Sequence, residues 1–155
     1  MLSIQRYALH LAWLIALIAT GGSLYMSEIL LWEPCKLCWA QRIFMYPLAL
    51  LLGIAAYRGD RGIFRYTLPL SIIGGAVSIY HYMVQKVSGM EDISPCRTGV
   101  PCGSDYLDLF GWITIPLLAL VAFALITLLL FTASKDRSEE QRRTIPYVNH
   151  GEMTR

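Results

Sequence analysis

The sequence predicts an all-α fold: an integral membrane four-helix bundle with two cysteine-bearing segments on its extracytoplasmic side. Three observations predict it. First, 55% of the 155 residues are hydrophobic and only 15% are charged, with a mean hydropathy of +0.49, which is too apolar for an ordinary soluble domain. Second, four apolar runs follow one another, separated by polar turns and one longer loop. Third, the four cysteines form two close pairs, Cys35/Cys38 and Cys96/Cys102, unlike the dispersed framework of a small secreted fold. The length suits one domain, and a formal charge of +2 is too small to point to nucleic acid.

The first span is expected over about 7–31. Its apolar core, Ala8 to Met26, is about long enough to cross a hydrocarbon layer. It reads as a retained span, because it is long for a signal-peptide core and no A-x-A site follows. Gly21-Gly22-Ser23 reads as a small-residue patch for close helix packing, and His10 as an interfacial residue. The second apolar run, Ile43 to Tyr57, has only fifteen residues, about 22 Å at helical rise against a core of about 30 Å. Its helix must therefore begin earlier, near Cys35 or Cys38, giving a span of about 38–57 with Pro47 inside it. That draws Gln41 and Arg42 to the membrane edge, where an arginine either snorkels to headgroups or serves a site. The third span covers about 66–85. It contains the packing pair Gly74-Gly75, and His81 lies near its end at the depth of an aromatic belt. An irregular loop over 86–111 carries the second cysteine pair, and proline directly precedes Cys35, Cys96 and Cys102. The fourth span covers about 112–133. Residues 134–155 are expected to form a polar, partly disordered cytoplasmic tail after a membrane domain of residues 1–133.

Four spans put both termini on one side and all four cysteines on the other. The terminal side carries Arg6, Arg58, Arg61, Arg65, Lys135, Arg137, Arg142, Arg143 and Arg155, against Lys36, Arg42, Lys86 and Arg97 opposite. This bias favours cytoplasmic termini, with Lys135 and Arg137 deciding a count that is otherwise even. The cysteines then face an oxidising compartment, where paired thiols turn over as disulfides.

The chemistry concentrates in Glu33-Pro34-Cys35-Lys36-Leu37-Cys38-Trp39-Ala40-Gln41-Arg42. Thiols three apart at a helix start share one face, and Arg42 lies one turn beyond Cys38. A helix N-terminus and a nearby cation both favour the thiolate, the reactive form. By spacing alone the pair is equally a zinc half-site or two membrane cysteines without chemistry.

The C-x-L-C-x-x-x-R element formed by Cys35, Leu37, Cys38 and Arg42 resembles the DsbB family of bacterial disulfide-forming membrane proteins, over about residues 5–133. The Trp39-Ala40-Gln41-Arg42 surroundings and compact second loop are most similar to its BdbC-type branch. The resemblance implies a protein-disulfide:quinone oxidoreductase of the bacterial cytoplasmic (inner) membrane. Such a protein reoxidises a thioredoxin-like thiol oxidase of the DsbA/BdbD type and passes the electrons to a membrane quinone, menaquinone or ubiquinone. That route is the known means of keeping a bacterial periplasm oxidising. The resemblance further implies that Cys96 forms the mixed disulfide with the partner and Cys102 is its companion. Cys35 and Cys38 become the quinone-coupled pair with Cys38 facing the ring, and Arg42 and His81 become quinone neighbours. Two features depart from relatives. The loop pair is separated by only five residues, where enterobacterial members have a longer loop. Gln41 stands where some relatives carry an acid.

Three other readings compete. A vitamin K epoxide reductase-like enzyme has its membrane C-x-x-C late and its loop cysteines early, the reverse of this order. A metal-binding or metal-transport protein would use the four thiolates, against which stand the oxidising surroundings and the scarcity of other ligands. A structural membrane protein would use two stapling disulfides.

Overall fold

The computed structural model describes residues 2–87, 96, 100–102 and 114–152. Four helices carry the architecture: α1 (Leu2–Glu28), α2 (Lys36–Arg58), α3 (Phe64–Lys86) and α4 (Ile115–Glu152). Each packs against both of its ring neighbours, α4 closing against α1. The segments Tyr7–Glu28, Lys36–Arg58, Phe64–Lys86 and Ile115–Ser134 are each long and apolar enough to cross a membrane.

The helix ends follow from local chemistry. α1 stops three residues before the expected boundary, because the chain turns at Leu31, whose φ of 54° is left-handed. Ile29 and Leu30 both donate to the Tyr25 carbonyl there. α2 begins directly after Cys35, as the short apolar run requires. It ends at Gly59, whose φ of +66° suits a residue without a Cβ and whose N–H returns to the Ala55 carbonyl. Asp60 then caps a single 3-10 turn, Arg61–Ile63, accepting from Gly62 N–H at 2.7 Å, and α3 follows at once.

α4 departs from expectation. It continues as one helix to Glu152, where a polar, partly disordered tail was expected from residue 134. Lys, Arg, Glu and Gln dominate residues 135–143 and are good helix formers. A helix already nucleated by the span extends without a second nucleation cost.

The core between the helices is built from Ala12 and Ala16 of α1, Leu48 and Leu52 of α2, and Phe123, Ile126 and Leu130 of α4, all essentially inaccessible. Large apolar residues also cover the outside: Ile18 is 67% exposed, Leu50 70% and Leu128 62%. Helices that are apolar on both faces belong in lipid. Side-chain hydrogen bonds join α3 to α4, since Ser71 Oγ lies 2.8 Å from Thr127 Oγ1 and donates to the Phe123 carbonyl at 3.2 Å.

The two glycine patches behave differently. A Cβ at Gly74 would overlap the Phe123 ring, so this glycine is what lets α3 and α4 approach. At Gly21 and Gly22 a Cβ would meet nothing, so within this patch it is Ser23, holding Arg42, and not the glycines that joins α1 to α2. Gly74→Val should therefore lower the thermal midpoint in detergent, with an overpacking cost of about 1–3 kcal/mol. Gly21→Ala should leave the midpoint unchanged or raise it slightly. An unaltered midpoint for Gly74→Val would refute the close α3–α4 contact.

Candidate redox site

Pro34 leads the chain into α2, and Cys35 takes the N-cap position with φ −65° and ψ 168°. Its sulfur, rather than the usual hydroxyl or carboxylate, accepts the Cys38 N–H at 3.3 Å. The three-residue spacing then brings the sulfurs of Cys35 and Cys38 to 2.9 Å with both thiols reduced. Either sulfur can carry the shared proton. Cys35 alone also accepts the helix N–H and faces His81, so the negative charge settles there.

His81 comes from α3 and is 1% exposed, its ring buried inside the bundle. Its Nε2 lies 3.6 Å from Cys35 Sγ, and its Nδ1 lies 3.3 Å from Gln41 Nε2. With the Gln41 amide donating, Nδ1 is the acceptor and the ring proton sits on Nε2, directed at the sulfur. Cys35, His81 and Gln41 thus form one chain of contacts between α2 and α3. The Cys35 thiol is drawn down from the usual 9.0 to about 4. The hydrogen bond with Cys38 does most of this. Burial opposes it, and the hydrogen bond with His81 adds to it.

Arg42 does not stand free beside Cys38. Its Nε donates to Ser23 Oγ at 2.8 Å and its Nη2 to the Ser23 carbonyl at 2.9 Å. The guanidinium also lies 5.5 Å from the centre of the Trp39 ring. A cation at the membrane edge is thereby tied to α1 and still lines the site.

Cys96 and Cys102 are joined as a disulfide with Cα atoms 5.6 Å apart. An accessible loop pair was expected, but Cys96 is only 7% exposed and Cys102 3%. Apolar packing explains this: both belong to one buried cluster with Cys35, Leu37 and Val84, against which Cys38, Tyr80 and Val100 pack. The two pairs, far apart in sequence, are therefore neighbours.

A cavity of about 410 Å³ opens beside them, bounded by α1, α2, α4 and the end of α3. Its walls are mostly apolar, including Ile18, Met45, Ala122 and Phe123, while Cys35, Cys38, Arg42, His81 and Cys102 all reach it. Tyr46 and Gln85 line it too, and the Tyr46 hydroxyl and Gln85 Oε1 are buried without a hydrogen-bond partner. All six candidate residues except Cys96 thus line one cavity. Sequence reasoning passed over Ser23, Tyr46 and Gln85 and gave Gln41 no role. A signal existed for two of them: Tyr46 is two turns beyond Cys38 and Gln85 one turn beyond His81. Nothing local marks Ser23 as the partner of Arg42.

The family model described as disulfide bond formation protein DsbB matches residues 5–133. Disulfide bond formation protein C of Bacillus subtilis (strain 168) is 53% identical over 131 residues, covering 84% of this chain and 95% of the relative. Probable disulfide formation protein C 1 of Bacillus anthracis is 48% identical over 133 residues, covering 86% and 96%. A probable disulfide formation protein of Coxiella burnetii (strain CbuK_Q154) is 45% identical over 131 residues, covering 84% and 89%. No solved structure matches the chain.

The environment of Cys35 sets its pH dependence. A pKa drawn down to about 4 keeps the thiolate present above that pH and loses it as the pH falls through it. Alkylation of Cys35 in the protein as described, followed by mass spectrometry, should be level from alkaline pH to about 5 and fall below. Cys38→Ala removes the largest cause, so its profile should shift to higher pH by at least one unit. A wild-type midpoint near the ordinary thiol value would refute the assignment of the charge to Cys35.

Proposed function

The chain belongs to the DsbB family of disulfide bond formation proteins and is a multi-pass membrane thiol–disulfide oxidoreductase, and from that premise we propose that it reoxidises a DsbA-type thioredoxin-like partner and delivers the electrons to a membrane quinone, menaquinone or ubiquinone. The observation that carries this reading is the convergence of both cysteine pairs on one apolar cavity.

In this reading the partner's thiolate attacks Cys96, which does not line the cavity, and Cys102, which does, leaves as a thiolate. The burial of Cys96 means that the loop must yield to admit the partner. Cys102 then attacks the Cys35–Cys38 disulfide, bonding to one of these sulfurs and releasing the other as a thiolate. The partner's second thiol resolves its bond to Cys96 and leaves oxidised. The freed Cys96 thiolate attacks Cys102, closing the loop pair and releasing the second sulfur of the membrane pair. Each exchange breaks one S–S bond and forms another. Two electrons thus arrive on Cys35 and Cys38, which share one proton with the negative charge on Cys35, the reduced state described above.

A strong terminal acceptor is required. A stable structural disulfide lies below about −300 mV and a DsbA-type partner near −120 mV. Transfer between them would be uphill by about 180 mV, or roughly 8 kcal/mol. A bound quinone supplies a two-electron, two-proton acceptor. The residues fit one: the walls are apolar, and the orphaned Tyr46 hydroxyl and Gln85 Oε1 offer a donor and an acceptor. Arg42 favours negative charge at the cavity, Cys35 holds the thiolate, and His81 holds a proton on Nε2 beside it. In this reading the termini are cytoplasmic and the cysteines extracytoplasmic, as the charge bias supports.

Quinone reduction by the purified protein, scanned over the four Cys→Ser changes, tests the route. Cys96→Ser should abolish turnover driven by a DsbA-type donor but retain turnover driven by a small dithiol. Cys38→Ser should abolish both. Donor-driven turnover surviving in Cys96→Ser would overturn the division of labour. Arg42→Ala should lower kcat/KM for quinone roughly 10–100-fold, and Arg42→Lys should recover part, having the charge without the planar fork. Ser23→Ala, which removes only one anchor of the guanidinium, should have the smaller effect. Wild-type quinone kinetics in Arg42→Ala would reduce Arg42 to a helix anchor.

A further inference from the structure

We propose that the reduced site also captures a thiophilic divalent cation, of which Zn²⁺ is the type, through Cys35 Sγ, Cys38 Sγ and His81 Nε2, and that capture blocks oxidation of the pair. Among the described residues these three ligand atoms all lie within 4.8 Å of one another. Binding itself stands on donor geometry alone. The block deepens the thiol–quinone reading and rests on it.

The distances suit zinc. Tetrahedral bonds of about 2.3 Å to sulfur and about 2.0–2.1 Å to nitrogen put sulfur and nitrogen roughly 3.6 Å apart, and two sulfurs roughly 3.8 Å apart. Cys35 Sγ and His81 Nε2 are already 3.6 Å apart. The two sulfurs, at 2.9 Å, must open by roughly 1 Å, which a rotation of Cys38 about its Cα–Cβ bond supplies. The C-x-x-C spacing is that of a zinc half-site, and His81 provides the further ligand that the sequence did not show. The fourth position faces the cavity, leaving the three-ligand site open to water.

The surroundings support a bound ion. Gln41 sits at His81 Nδ1 at 3.3 Å. Turning its amide by half a revolution presents Oε1 to an Nδ1–H and frees the Nε2 lone pair for the metal, the supporting contact that metal-binding histidines commonly have. Two thiolates cancel the charge of a divalent ion, so the filled site is neutral overall, as a buried site needs. On binding, two metal–sulfur bonds and one metal–nitrogen bond form, any remaining thiol proton leaves to solvent, and no electron moves. A Cys35–Cys38 disulfide has no thiolate to offer, so only the reduced pair binds. Metal and oxidant therefore compete for the same sulfur lone pairs.

The test uses the full chain with Cys96→Ser and Cys102→Ser, so that only the membrane pair titrates. After reduction and removal of reductant, Zn²⁺ is titrated against a chromogenic chelator. The reduced protein should bind one ion per chain and the disulfide form none. His81→Ala should weaken binding at least tenfold, and Gln41→Leu roughly tenfold. Cd²⁺ should give a sulfur-to-metal charge-transfer absorption in the reduced protein only. Equal binding by the oxidised protein, or binding indifferent to both His81→Ala and Gln41→Leu, would overturn the site. Zn²⁺ loading should slow quinone reduction from a small dithiol at least tenfold, with recovery on chelation. Tight binding without that slowing would overturn the block. Thiol-dependent quinone reduction in a protein that binds no metal would sink this proposal and leave the redox reading standing. Metal binding without any quinone reduction would do the reverse.

Discussion

The contact of 3.6 Å between His81 Nε2 and Cys35 Sγ is the interaction on which the rest of the site depends. It joins the first turn of α2 to the end of α3 at a depth where neither group meets bulk water. A buried thiolate is costly unless several donors share its charge. Here the Cys38 N–H, the Cys38 thiol and the imidazole do so together. Gln41 fixes the ring from the other side. Loss of any one member leaves the next without a partner, so α2 and α3 are held in one register by the same contacts that prepare the sulfur for chemistry.

The membrane explains much of the remaining polar architecture. Lipid offers no hydrogen bonds, so polar groups at depth must find partners within the bundle. Arg42 does this with two hydrogen bonds to a single residue, Ser23, which also lashes α1 to α2. Ser71 and Thr127 do it between α3 and α4. Among the described residues, Thr20 Oγ1, the Tyr46 hydroxyl, Gln85 Oε1 and Thr114 Oγ1 are buried without a partner, and of these residues Tyr46 and Gln85 line the cavity. Unpaired polar atoms in an apolar pocket signal a ligand that brings its own donor and acceptor.

Burial of the loop disulfide changes how the two pairs relate. Cys96 and Cys102 share an apolar cluster with Cys35 and Val84, so this disulfide rests on the membrane pair and is buried with it. Proximity of this kind converts exchange between pairs into an intramolecular step. It also gives the loop something to lose when a partner engages it. The same crowding of soft donors makes the reduced pair attractive to a metal ion, a vulnerability that oxidation removes.

The sequence by itself determined the number and order of the helices, the early start of α2 and the presence of both cysteine pairs at one end. These are one-dimensional properties: hydropathic length against membrane thickness, parity of crossings, and the i, i+3, i+4 geometry relating Cys35, Cys38 and Arg42. Pattern also misled where it had no spatial term. The glycines of the Gly21-Gly22-Ser23 patch are not closely packed, the link to α2 running through Ser23 instead, and the charged stretch after Ser134, read as partly disordered, is helical to Glu152. Only the tertiary structure decided that His81 reaches Cys35, that Gln41 orients it, that Arg42 is held by Ser23 and that the loop pair lies against the membrane pair. Each of these joins residues from different elements of the chain, nineteen or more positions apart. No local rule fixes which faces of two helices meet; that is set by the packing of the whole ring, down to the one glycine that lets Phe123 in.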